Sequence, residues 1–352
     1  MKRFILIVLI LGSMLSMNAA VTRQKLDDIG FCWDKDNLGR LMDYLKSVVP
    51  PAENQGAAIP IAGISPHDDY LYAGLEYYPL FRQVKAREIV IFGVTHKTVR
   101  EKIGDPQGKL IFDNYSHWTG PIKPVEVSDL RNHIIANLDP SLYIIDNEAH
   151  SLEHSIEAEI PFLQYFNPDV KITPIMITGM DYETMESISG QLGFVLASYI
   201  KENDLKIGQD IFFLISADAN HYGKDFNNTI YGEDEKAHQT GIDRDQKMVN
   251  TFLTGSMAPG KIKGLTGELW GKTYKDFKDT YWCGKYSIPF GMLTILDIVK
   301  RLNPKNELKG TLLRYSDTYS DGVLPVKKVG CGITAPFSLK HWVGFFSVAY
   351  YL

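Results

Sequence analysis

Ile211-Phe212-Phe213-Leu214-Ile215-Ser216-Ala217-Asp218-Ala219-Asn220-His221 is the stretch on which the fold turns. An apolar run of this length and composition reads as a strand buried on both faces, the kind that parallel sheets use. Two earlier stretches repeat the pattern: Ile59-Pro60-Ile61-Ala62-Gly63-Ile64-Ser65-Pro66-His67 and Ile89-Val90-Ile91-Phe92-Gly93-Val94-Thr95-His96. All three end in a histidine. Side chains just beyond the carboxyl ends of parallel strands converge on one crevice, where open α/β sheets bind their ligands. Imidazole is the commonest metal ligand and the usual acid/base near neutral pH. A single strand-end histidine is usually satisfied by a local hydrogen bond. Three in the same setting point to a shared site, against the plainer reading of three strand-end caps.

The flanking sequence fits strands alternating with helices. Helical spacing of Leu38, Leu41, Met42, Leu45 and Val48 predicts a helix over 36–49, stopped by Pro50-Pro51. A loop runs on to Ala58, and an apolar, aromatic helix over about 70–84 follows His67. Residues 87–94, 171–178 and 210–216 read as strands, and 182–201, 234–253 and 287–302 as helices. Shorter strands at 109–113 and 125–127 frame the aromatic turn His117-Trp118-Thr119-Gly120-Pro121. Residues 155–166 look mixed and interrupted by Pro161, and 255–271 is rich in glycine and lysine. Strands at 311–316 and 342–352 come last, the final one closing the sheet. This order predicts one α/β domain over 21–352, a three-layer α/β/α sandwich around a mostly parallel sheet.

The 352 residues carry a formal charge of −5 and show no basic stripe, which argues against nucleic acid as a partner. Lys2 and Arg3 precede the apolar run Phe4–Leu11 and a small-residue stretch ending Asn18-Ala19-Ala20. That is the order of a secretory signal peptide, too short to span a bilayer comfortably. Residues 1–20 are therefore expected to be removed. The remainder would be soluble and exported, periplasmic or extracellular, with no membrane span. Cys32, Cys283 and Cys331 are too few for a disulfide framework. A Cys32–Cys331 bridge would leave Cys283 over.

The densest polar cluster is Glu148-Ala149-His150-Ser151-Leu152-Glu153-His154-Ser155-Ile156-Glu157. As a bare pattern, His150 to His154 matches the H-x-x-E-H signature of inverted zinc peptidases. That chemistry needs a continuous helix, and Pro161 leaves little more than two turns after His154. Cys283 beside Tyr281-Trp282, taken alone, reads as a buried inert thiol.

Five elements, in order, resemble the Memo family, also called AmmeMemoRadiSam system protein B. They are Pro66-His67-Asp68-Asp69-Tyr70; Gly93-Val94-Thr95-His96; Glu153-His154-Ser155-Ile156-Glu157 running into Ile160-Pro161-Phe162-Leu163; Ser216-Ala217-Asp218-Ala219-Asn220-His221; and Cys283-Gly284. They cover roughly Ile59 to Pro289. The resemblance implies a fold similar to class III extradiol dioxygenases, non-haem iron enzymes that open catechol rings. It implies metal ligands at His67, His96 and Cys283, with His221 as the acid/base over the open coordination positions. Asp218 would orient an imidazole, and His154 and Glu157 would line or brace the pocket. The expected cofactor is a divalent metal ion, iron first, with copper or zinc as alternatives once thiolate replaces carboxylate. The expected partner is a small aromatic or chelating substrate. The resemblance also implies radical-SAM and AMMECR-type companion proteins, which sit awkwardly with an exported chain. Two departures stand out: Asp68-Asp69 follow the first histidine, and 320–341 looks like an insertion. A metal- or peptide-binding protein without turnover, and a zinc hydrolase, remain as alternative functions.

Overall fold

Four parallel strands, Lys171–Ile177, Glu88–Val94, Ile211–Ser216 and Ala62–Ser65, lie side by side in that order at the centre of the sheet. The three strands ending in histidines are thus immediate neighbours. The computed structural model describes residues 21–51 and 58–352; the predicted leader, 1–20, and most of the predicted loop, 52–57, lie outside the described residues.

Alternate residues along each central strand feed opposite cores, as the two-residue repeat requires. Val90, Phe92, Phe213 and Ile215 face one helical layer, which includes Tyr182–Glu202 and Ser287–Leu302. Ile89, Ile91, Phe212 and Leu214 face the other, built from Lys35–Val48, Tyr70–Phe81 and Ile160–Phe166. Burial on both faces explains the unbroken apolar runs. The three-layer α/β/α architecture follows.

The sheet is mixed rather than mostly parallel. Among the described strands, six pairings are parallel and six antiparallel. A short hairpin, His117–Trp118 with Val125–Val127, supplies one antiparallel pair at one margin, and at the other His341–Tyr351 runs against both of its neighbours after a long connection. The last strand, His341–Tyr351, runs antiparallel beside Ala62–Ser65, and Lys309–Asp317 and Gly255–Ser256 lie outside it. It is an interior strand, not the closing edge. Pro161 sits in the first turn of Ile160–Phe166, where a missing N–H costs nothing, so it starts that helix instead of interrupting one. The Gly/Lys-rich stretch contains the helix Pro259–Leu269, again with proline at its start. His117–Trp118, expected as a turn, pairs as a strand with Val125–Val127.

Candidate metal centre

His67 lies two residues past the end of its strand, after Pro66, and His96 is the N-cap of the short helix Lys97–Lys102. His67 Nε2 lies 3.4 Å from Cys283 Sγ, and ligand atoms of His67, His96 and Cys283 all fall within 4.8 Å of one another. Two donors on one tetrahedral ion, with bonds near ~2.1 Å to nitrogen and ~2.3 Å to sulfur, would be roughly 3.6 Å apart. The observed spacing therefore suits a shared ion.

Both imidazoles are fixed through their other nitrogen. His67 Nδ1 meets Ser216 Oγ at 2.9 Å, and His96 Nδ1 meets Glu153 Oε1 at 2.7 Å. Each ring therefore turns Nε2 toward Cys283, the arrangement that carboxylate- and hydroxyl-backed metal histidines use. Glu153 also accepts the backbone N–H groups of His96, His154 and Ser155. Burial alone would raise its pKa, but His96 and these donors hold it far below the usual carboxylate range. His96 is raised in turn: burial disfavours its charge, and Glu153 more than offsets that. His67 has no such anionic partner at Nδ1, and burial followed by His96 and His154 drives it well below the ordinary histidine value.

Asp218 meets His67 at two points. Its Oδ1 accepts the backbone N–H of His67, and its Oδ2 lies 3.3 Å from His67 Nε2, on the metal-facing side. Ser216 and Glu153 fix the Nδ1 sides of the two rings, and Asp218 meets the Nε2 side of His67. Burial raises Asp218 to about 7. Its backbone N–H points at Cys283 Sγ at 3.2 Å, a contact that favours thiolate. Against this, burial and then the Asp218 charge push the Cys283 thiol well up. Asp218, His221 and Cys283 also place ligand atoms within 4.8 Å of one another.

His221 Nδ1 lies 3.2 Å from the carbonyl of Ala219, which assigns the proton to Nδ1 and leaves Nε2 as an acceptor. Burial lowers His221 to about 3. His154 stacks on His96 with ring centroids 4.7 Å apart and planes 9° from parallel, and burial, then His96, lowers it to about 4. Both imidazoles are neutral near pH 7. Glu157 does not reach the centre. It pairs with Arg23 and accepts the N–H groups of Leu26 and Asp27, bracing the segment that runs over the site.

Two glycines make the close approaches. A Cβ on Gly93 would lie 2.5 Å from Ile156, so glycine lets the Glu153–His154 loop reach His96. A Cβ on Gly284 would lie 2.3 Å from Ala217, so glycine lets Cys283 reach Asp218. Asp245 ties the two loops together: its carboxylate accepts from Trp282 Nε1 and Thr280 Oγ1 on one loop and from Asn220 N–H on the other.

The peptidase pattern dissolves in three dimensions. The helix Asn147–Leu152 ends before Glu153, and His150 is fully buried with Nε2 on the carbonyl of Ile111. Glu153, Ser216 and Asp245 were not singled out from sequence. Glu153 sat inside the dense polar cluster, and Ser216 ended an apolar strand; Asp245 left no local signal.

Two cavities of about 640 and 650 Å³ open on either side of the centre and share His96, His154, His221 and Phe226. The first is walled by Asp27, Asp28, Asp68 and Asp69 with Tyr72 and Phe337, and no lysine or arginine lines it among the described residues. The second carries Lys97, Arg100, Lys275 and Lys285.

Two imidazoles and a thiol converge at the strand ends of an α/β sandwich, a group that could hold a metal ion beside a cavity of small-molecule size. The profile of the Memo-like protein family matches residues 32–323, and the chain belongs to that family. A MEMO1 family protein of Aquifex aeolicus is 31% identical over 194 residues, covering 54% of this chain and 63% of that protein. One of Sulfurisphaera tokodaii is 28% identical over 251 residues, covering 69% of this chain and 72% of that protein. One of Methanococcoides burtonii is 30% identical over 164 residues, covering 46% and 55%. The matched stretch is thus under two thirds of the Aquifex and Methanococcoides proteins.

Proposed function

We propose that His67, His96 and Cys283 hold a single divalent metal ion, iron first, and that the protein carries out dioxygenase-type redox chemistry on a small aromatic, chelating substrate. The observation that carries this reading is the convergence of two back-oriented imidazoles and a thiol at donor spacing on the floor of two cavities. The donor set fits a borderline or soft divalent ion. Bound iron would supply redox chemistry with dioxygen. The chain's own residues do the rest. His221 Nε2, a free acceptor, takes a proton from a substrate hydroxyl and returns it later. His154 offers a second neutral imidazole to the same space. Asp218 holds His67 by its backbone and presents an oxygen that can accept a proton near neutral pH. Phe226, Tyr72 and Phe337 supply flat apolar walls for a ring.

The acidic wall sets the substrate's charge. Asp27, Asp28 and Asp69 repel an aromatic acid in the first cavity and favour a neutral or amine-bearing catechol there, while burial and then the Asp218 charge raise Asp68 and weaken its share. We further propose that residues 1–20 export the chain.

Metal analysis of anaerobically purified protein, then an oxygen-uptake screen with catechols of differing charge, tests the reading. Iron with oxygen consumption supports it; zinc with esterase or peptidase activity, or metal without turnover, replaces it. Cys283→Ala should lose the metal and keep the fold, and full metal retention would remove Cys283 from the ligand set.

Metal uptake should also depend on pH. Because the Cys283 thiol is raised and must lose its proton to bind, apparent affinity for Co²⁺ should rise about tenfold per pH unit while the thiol is protonated. A chelator competition series between about pH 6 and pH 8 checks this; a flat profile would show that no thiol proton is released.

A further inference from the structure

The family match ends at residue 323, and the chain beyond it folds back over the first cavity. Residues 324–338 form no helix or extended strand, and are held by scattered contacts. The N–H of Leu324 bonds Leu71 O at 2.8 Å, and that of Gly332 bonds Ile29 O at 2.7 Å. Arg40 Nε donates to Lys328 O at 2.6 Å, and Tyr72 OH donates to Ala335 O at 2.7 Å. Thr334 Oγ1 donates to Asp69 Oδ2 at 3.0 Å. Thr334, Ala335, Pro336 and Phe337 thereby roof the cavity opposite His67. A strap without secondary structure, with several exposed side chains, belongs to the low-stability end of a fold unless something pins it.

We propose that Cys32 and Cys331 form a disulfide that locks this strap across the cavity. Cys32 is fully buried at the start of the family-matched region, with Sγ 3.1 Å from Val329 O. Cys331, two residues beyond Val329, is half-buried and packs against the same apolar cluster, and it is the neighbour that raises the Cys32 thiol most. Gly330, at φ +70°, supplies the left-handed turn between Val329 and Cys331 that brings both back toward Cys32. Cys283 is occupied elsewhere, against Asp218 and His67. The three thiols therefore divide into a pair and a single, and only the pair is placed to bond.

The chemistry is ordinary exchange with an external disulfide, such as oxidised glutathione or a thiol–disulfide oxidoreductase. Cys331, the accessible partner, attacks as thiolate and expels one external thiolate. Cys32 then displaces the second, giving up its proton. Two protein thiols become one disulfide, and the external disulfide is reduced to two thiols. An exported protein meets such oxidants routinely. The inference does not depend on which metal the centre takes.

The test uses the whole chain after oxidised glutathione or dithiothreitol. Oxidation should lower the free thiols of the unfolded protein from three to one, and a non-reducing digest should contain the Cys32 and Cys331 peptides joined. Trypsin cleavage at the exposed Lys327 and Lys328 should slow by about tenfold or more in the oxidised protein. Cys331→Ala should abolish both effects and leave the Cys283 thiol titrating as before. Three persistent thiols, a cross-link that includes Cys283, or equal cleavage of oxidised and reduced protein would each overturn the proposal.

Discussion

In His67→Ala protein, metal and turnover should be lost together, whereas His221→Ala should keep the metal and lose roughly 10²–10⁴-fold in turnover, the usual worth of a positioned acid/base. The contrast follows from how each ring is held. His67 has Nδ1 tied to Ser216, so Nε2 is committed to the point it shares with Cys283 and His96. His221 has Nδ1 tied to Ala219 O and opens on both cavities. Metal content by elemental analysis and initial rates on the same preparations measure the two effects. His221 also comes within ligand reach of Asp218 and Cys283. If His221→Ala loses metal as readily as His67→Ala, the centre is instead one in which His221 coordinates, closer to a hydrolytic zinc site.

The second large effect is expected at Glu153. Glu153→Ala strands three backbone N–H groups and the His96 imidazole in a buried setting, at a cost on the order of 3–5 kcal/mol, and should weaken metal binding by roughly 10–100-fold. Urea unfolding and chelator competition report the two separately. The charge of the pair adds a pH signature in metal-free protein. Glu153 is depressed on folding, so its stabilisation is complete above its unfolded value of about 4.5 and is lost as pH falls. His96 is raised, so its share is complete below its unfolded value of about 6.5 and is lost as pH rises through the folded one. The stability gap between wild type and Glu153→Gln should therefore be widest between about pH 4.5 and 6.5. A gap independent of pH would mean that the pair is not ionic in the fold.

The acidic cavity wall and the strap above it are connected. Asp69 accepts from Thr334 while lining the cavity, so one of the carboxylates that set substrate charge also holds the roof in place. Both Asp68-Asp69 and the insertion were visible in sequence as departures from the family pattern. Their meeting was not, because some 265 residues separate Asp69 from Thr334 along the chain.

Local sequence determined what local physics governs: unbroken apolar runs for strands buried on both faces, helical spacing for 35–48 and 287–302, and a histidine after each of three strands. With the family pattern it also named Cys283. Only the tertiary structure decided which strands are neighbours and in which direction they run, because sheet pairing depends on connections that sequence periodicity does not encode. It likewise brought Glu153 and Ser216 onto the imidazoles, since a hydrogen bond between residues far apart in the chain leaves no mark on either neighbourhood. The same holds for Asp245, a polar residue in a polar helix until Trp282, Thr280 and Asn220 are folded onto it.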